Sequence, residues 1–143
     1  MNVNDVLSQK PIDGVESIGA QETVSTLVSK LREKKIGAMM VTDRDGRLVG
    51  VISERDVIRA LAEDNAECLQ NPVSRYMTSD VVATTPKENI FVVLDKMTQG
   101  RFRHMPVLES GALSGVISIG DVVKARIEAL QRENEALETF IRS

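Results

Sequence analysis

Two aspartates stand in matching surroundings. Residues 50–57 read GVISERDV and residues 115–122 read GVISIGDV. In each phrase an apolar, β-branched run ends on a serine, and a carboxylate follows three residues later: Ser53 with Asp56, Ser118 with Asp121. One chemistry for Ser-x-x-Asp is helix capping, in which the serine oxygen accepts a free backbone N–H and the acid reaches back to the N–H of the serine. Two features point further. Asp is shorter than the Glu or Gln that suits the return contact. Each pair also sits where an apolar strand runs into a helix, and the free N–H groups and dipole of a helix N-terminus favour an anion. A carboxylate one turn in can accept two hydrogen bonds from a ribose diol. Capping and ligand contact are compatible roles for the serine.

Little else in the chain suits covalent chemistry. Cys68 is the only cysteine and His104 the only histidine. No internal disulfide can form, and no Cys/His set could hold a structural zinc. No nucleophile has a partner base nearby in sequence, and there is no glycine-rich phosphate loop of the P-loop kind. These features point away from an enzyme. The net charge of −3 argues against a general nucleic-acid binder, which would show a basic surface. The N-terminus, MNVNDVLSQK, lacks the apolar core of a signal peptide, and no apolar run has the length of a membrane span. The expectation is a soluble, cytoplasmic protein that needs no cofactor.

The elements that must hold the two phrases repeat with them. Residues 15–60 overlay 81–125 in order: Leu27, Leu31 and Ile36 fall on Val93, Met97 and Phe102. Each half reads as strand, helix, strand, strand, helix, an α/β (α+β) pattern. Val15–Ile18 and Val81–Ala83 are the expected first strands. Residues 22–34 and 88–99 carry helical apolar spacing. The stretches AMMVTDRDGRLVGVIS and HMPVLESGALSGVIS are expected hairpins, the second with a tighter turn at Gly111. Ser53 and Ser118 open the closing helices. The expected boundaries are a first repeat at 12–65, a linker at 66–80, a second repeat at 81–128 and a helical extension at 129–143. The 143 residues, 42% apolar and 3% aromatic, suffice for one ordinary domain or two small ones with an aliphatic core. Val123, Ile127, Leu130, Asn134, Leu137 and Ile141 form a heptad-like seam. That seam fits either a helix lying on its own module or a self-association helix.

The order of elements, with GVISERD and GVISIGD closing the halves and RHMPVLESG before the second, resembles a pair of cystathionine-β-synthase (CBS) domains, a Bateman module. The resemblance covers residues 12–128. It implies two pseudo-symmetric β-α-β-β-α repeats packed as one module, with two clefts for adenosine-containing ligands: AMP, ADP or ATP, or else S-adenosylmethionine or NAD. It implies that Asp56 and Asp121 hold ribose, that Ser53 and Ser118 contact phosphate or sugar, and that Ile18, Val82 and Thr84 line the adenine. Small stand-alone relatives of this family pair into a flat four-domain disc. Organelle relatives in plants act on thioredoxin-type enzymes, so a homodimer and a partner enzyme in trans are implied as well.

The halves differ at two places. Arg103-His104 precede Met105-Pro106 in the second half, where the first has Gly37-Ala38 before Met39-Met40. By likeness to the nucleotide-sensing γ subunit of AMP-activated protein kinase, Arg103 and His104 would meet phosphate, for which a guanidinium fork is well shaped. The plainer alternative is a solvated basic patch. Arg55 stands where the second half has Gly120; it either aims at the middle of the disc or is solvated. The asymmetry implies unequal clefts.

Overall fold

The computed structural model describes residues 1–8 and 15–143. The expected start of the first repeat, residue 12, lies outside the described residues. The elements run α1 (Val3–Leu7), β1 (Ser17–Gly19), α2 (Val24–Lys34), β2 (Ala38–Thr42), β3 (Leu48–Ser53), α3 (Glu54–Asp64), α4 (Ile90–Gly100), β4 (His104–Glu109), β5 (Ala112–Ser118) and α5 (Ile119–Arg142), with 3-10 turns at Asn65–Gln70 and Val73–Arg75. They form two compact units. One takes in residues 15–82 with Ser110–Ser114; the other takes in α1, Ala83–Glu109 and Gly115–Ser143.

Local chemistry explains most of the elements. Thr23 caps α2 by accepting the Thr26 N–H, and Asn89 caps α4 by accepting the Phe91 N–H. Each helix turns one apolar stripe inward: Val24, Leu27 and Leu31 on α2, Ile90, Val93 and Met97 on α4. Both end on a left-handed residue, Lys35 and Arg101, each at φ 56°. The N–H one residue further then reaches back to Leu31 O and Met97 O, closing the orphan carbonyls. In the β2–β3 hairpin the Asp43 carboxylate accepts the Asp45 and Arg47 N–H groups. The β4–β5 turn has Ser110 at φ 52° and Gly111 at φ 81°. Two consecutive positive-φ residues match the right-handed twist of the flanking strands.

The expected first strand of the second half is a correction. β1 pairs in parallel with β2, Ser17–Gly19 against Met40–Thr42. In the second half, Val81–Ala83 is not a strand, and only a single parallel bridge joins Thr84 to Val107. Thr84 N–H donates to Pro106 O at 3.0 Å and Leu108 N–H to Thr84 O at 2.9 Å. The next rung would need an N–H at position 106, and proline has none. The first half has Met40 at the matching place, so its ladder continues.

Each unit closes its core with a segment from just ahead of the other half's repeat. Ile18, Val24, Leu27, Leu31, Met39, Val41 and Ile52 pack with Val73, which precedes the second repeat. Ile90, Val93, Met97, Met105, Val107, Ile117, Val122 and Ala125 pack with Val3 and Val6, which precede the first. The backbone repeats the arrangement bond for bond. Val73 N–H donates to Glu22 O, Ser74 N–H to Ala20 O and Val24 N–H to Asn71 O; Val3 N–H donates to Glu88 O, Asn4 N–H to Pro86 O and Ile90 N–H to Met1 O. The stretch read as a linker is therefore largely folded onto the first half. The leading glycines of the two phrases make room for these segments. A Cβ on Gly50 would lie 2.6 Å from Met77 Sδ and 2.9 Å from Thr78 O, and one on Gly115 would lie 3.1 Å from Leu7 Cδ1.

A polar cluster ties this segment to the end of α3. Tyr76 Oη donates to Asp64, Asn71 Nδ2 donates to Tyr76 Oη at 2.8 Å, and Arg75 lies 3.5 Å from Asp64. Partial burial, and then the hydrogen bond to Asp64, raise the Tyr76 phenol above its ordinary 10.0. The fold favours the neutral phenol, so this contribution to stability is complete below pH 10.0 and is lost as pH rises through the raised value. Tyr76 is the only tyrosine. Its ultraviolet titration midpoint should therefore lie above 10.0 in the folded chain and return to 10.0 in denaturant.

Candidate functional site

Both Ser-x-x-Asp pairs sit at strand-to-helix junctions, and both are complete capping boxes. Ser53 stands at φ −122°, ψ 169° and Ser118 at φ −104°, ψ 159°. Asp56 N–H donates to Ser53 Oγ at 3.4 Å and Ser53 N–H to Asp56 Oδ2 at 2.8 Å. Asp121 N–H donates to Ser118 Oγ and Ser118 N–H to Asp121 Oδ2, each at 3.0 Å. Aspartate, though shorter than Glu or Gln, makes the return contact at both junctions. The extended cap residue brings its own N–H within reach of the shorter acid. Asn2 and Asp5 make a third such box at α1.

The remaining capacity of Asp56 is limited. Its Oδ2 also accepts the Ser53 hydroxyl at 3.1 Å, and Arg59 Nη1 lies 3.1 Å from Oδ1. Asp56 is buried at 7% exposure, whereas Asp121 is half-buried. Sequence reasoning missed Arg59, although its place one turn beyond Asp56 is the ordinary spacing of a helical ion pair.

The residues just before the hairpins flank these same helix ends. Ile119 N–H donates to Arg103 O at 2.9 Å, and Glu54 N–H donates to Gly37 O at 3.0 Å. The backbone thus brings Arg103 together with Ser118 and Asp121, at the N-terminus of α5. At the matching place in the first half, the Glu54 carboxylate lies 3.6–3.8 Å from where a Gly37 Cβ would stand. At the second junction the backbone of the exposed Arg103 adjoins the helix end; at the first, the Glu54 carboxylate adjoins Gly37 and the Arg59 guanidinium lies on Asp56. Helix N-termini favour anions, and the Glu54 carboxylate opposes that preference at α3. Arg103 and Arg55 are exposed, and His104 is half-buried with interactions of its own.

Other expected ligand residues face elsewhere. The Ile18 and Met105 side chains are 1% and 0% exposed and belong to the two cores. Ile18 is the one fully buried residue of β1, and Met105 is followed by the equally buried Pro106 and Val107 in β4. Pro106 is buried, and Val82 is 43% exposed. Thr84 occupies the register position of Ile18, each opposite the matching valine. It is 2% exposed, and its hydroxyl has no hydrogen-bond partner. An unsatisfied buried hydroxyl costs about 1–3 kcal/mol. Thr84→Val should therefore stabilise the chain by about 1 kcal/mol, read as a higher denaturation midpoint at unchanged slope. A hollow of about 440 Å³ in the first unit is lined by Val28, Leu31, Arg32, Lys35, Ile36, Gly37 and Glu54; it contains none of the expected ligand residues. Among the described residues no cluster of His, Cys, Asp and Glu could hold a metal ion, and no helix is long and apolar enough to cross a membrane.

Two copies of one small α/β unit, each closing on a serine-capped helix with an aspartate one turn in, define a tandem-repeat module. Residues 3–63 and 73–128 match the model of the CBS domain, and the chain belongs to that family as a tandem CBS pair. The matches begin at Val3 and Val73, the residues whose backbones dock the two leading segments. A CBS-domain protein of Agrobacterium tumefaciens is 44% identical, with a TM-score of 0.83 over 88% of this chain and 99% of that one. A CBS-domain protein of Pyrobaculum aerophilum complexed with AMP is 27% identical, with a TM-score of 0.75 over 85% of this chain and 89% of that one. An uncharacterised 17.7 kDa protein of Acidianus ambivalens is 34% identical over 107 residues, or 74% of this chain. The chain spans 63% of that relative's length, and 22% and 60% of two from Arabidopsis thaliana.

Proposed function

We propose that this chain is a regulatory module that binds an adenosine nucleotide of the AMP, ADP or ATP type and passes the binding state to a partner protein. The observation that carries this reading is the repeated junction: a capped helix N-terminus with an ordered aspartate one turn in, present twice, with Arg103 beside the second. The AMP complex of the Pyrobaculum relative supports the ligand class. Asp121 would hold the ribose diol, with the α5 N-terminus and Arg103 favouring the phosphate. The first junction, with Glu54 beside it and Arg59 on Asp56, suits a less anionic ligand or weaker binding.

The chain acts as a homodimer in the cytoplasm and catalyses no reaction. Binding transmits a signal by population shift, since a nucleotide can bias a partner only by preferring one arrangement of the module. A ligand that binds only the folded state at 100 times its dissociation constant stabilises by about 2.7 kcal/mol. AMP, ADP or ATP should therefore raise the melting temperature of the pure chain, and native mass spectrometry should identify the co-purifying ligand. No shift and no calorimetric heat with these nucleotides, S-adenosylmethionine or NAD would end the reading. Sustained ATP hydrolysis, lost in an Asp121 variant, would make the chain an enzyme.

A second reading is favoured by Asp56, whose Oδ2 is filled by its own cap and whose Oδ1 holds Arg59. In this reading the first cleft is vestigial and the surface docks a partner enzyme without nucleotide. Partner capture at unchanged affinity by the Asp56→Ala/Asp121→Ala double variant would select it.

A further inference from the structure

We propose that the C-terminal part of α5 pairs antiparallel with the same segment of a second copy, in the register that sets Val123 against Ile141, Ile127 against Leu137 and Leu130 against Asn134. This rests on the homodimer reading above and names the surface that serves it. Every residue from Leu130 to Ser143 is exposed, yet α5 stays helical to Arg142. A helix of that length without tertiary cover is marginal in water. Leu137 is 58%, Phe140 77% and Ile141 73% exposed, and the seam continues back through Ile127 at 51% and Val123 at 45%. Spacing that alternates between three and four residues suits a matching helix.

The charges beside the seam choose the orientation. Lys124 and Arg126 lie toward the start of the seam, and Glu133, Glu135 and Glu138 toward its end. A parallel pair would set Glu133 against Glu138 of the second copy, twice. The antiparallel pair sets Lys124 against Glu138, twice, and opposes the helix dipoles. One approach of Glu133 to its own copy remains, and Arg126, 4.0 Å from Glu133 in the same chain, offsets it. Asn134 is the one seam residue that a parallel pair would serve better, amide against amide; the paired charges outweigh it. The register also has a partner on the globular part. The Arg126 guanidinium lies 5.5 Å from the Phe91 ring centre, with Phe91 54% and Val92 44% exposed beside it on α4. Phe140 of the second copy arrives next to Arg126 and extends that stack.

The test uses the full chain carrying Ile127→Cys or Leu137→Cys under mild oxidation; wild type is the blank, because its only cysteine, Cys68, is buried. Mixing the two variants should give a disulfide-linked pair that neither forms alone. A strong link in each variant by itself would establish the parallel pair and overturn the proposal. Leu137→Glu, at an exposed position that leaves folding intact, should raise the dimer dissociation constant about tenfold or more. A monomeric wild-type chain in light scattering would remove the dimer reading itself. A dimer that persists unchanged in Leu137→Glu and in a chain ended at Arg126, with no links in the mixture, would remove the tail pairing alone. Nucleotide-induced thermal shifts report on ligand binding separately from all three.

Discussion

Asp121→Ala should reduce adenosine-nucleotide affinity at the second junction by about a hundredfold, equivalent to about 2.7 kcal/mol. A ribose diol would donate two hydrogen bonds to this carboxylate, and hydrogen bonds to a charged group are worth about 1.5–3 kcal/mol each. The substitution also removes half of a capping box, which costs about 1 kcal/mol of stability. Binding must therefore be measured by calorimetry well below the melting temperature. Asp121→Asn separates the two effects, since the amide oxygen can still accept the Ser118 N–H while the charge is gone. It should keep most of the stability and lose most of the affinity. Asp56→Ala should have the smaller effect on binding, because Asp56 is 7% exposed and the Glu54 carboxylate stands beside its helix end. Equal losses at the two sites would contradict the unequal junctions, and full affinity in Asp121→Ala would show that the aspartate is a helix cap and nothing more.

Removing residues 1–8 should destabilise the unit built on the second repeat by about 3–6 kcal/mol. Val3 and Val6 are 0% and 2% exposed, and burying a valine side chain is worth about 1.5–3 kcal/mol. Three backbone hydrogen bonds, Val3 to Glu88, Asn4 to Pro86 and Ile90 to Met1, go with them. Against a total stability of about 5–15 kcal/mol for a small domain, the loss comes close to unfolding it. Chemical denaturation followed by hydrogen exchange should locate the loss in α4, β4, β5 and α5. The milder Val3→Ala/Val6→Ala pair should place its smaller loss in the same elements. Protection lost first in β1–β3 instead would show that the N-terminal segment supports the first repeat.

What the chain's residues determine by themselves is local. The repeat, the two hairpins, the helix stripes and the serine at each closing helix follow from side-chain spacing and turn chemistry within a few residues. Asp43 with Gly46 and Ser110 with Gly111 carry their turns whatever surrounds them. The family resemblance follows from that order. The strand expected at Val81–Ala83 was misread: Pro106 has no N–H to offer a parallel neighbour, but only the Thr84–Val107 register shows that this N–H was needed.

Tertiary structure decided the rest, where the outcome depends on which surface covers which. Val3 and Val73 look alike in sequence, yet each joins the half that does not follow it, because the groove it fills is made by residues far along the chain. That the Ile18 and Met105 side chains lie in the two cores was decided by packing. The Ser-x-x-Asp pairs were legible as candidates. That Arg103 adjoins the N-terminus of α5, as Gly37 adjoins that of α3, came only from the backbone bonds that Arg103 and Gly37 accept from Ile119 and Glu54. Period-two alternation tells which residues share a face of a strand; only packing tells which face is covered and which is left for a ligand.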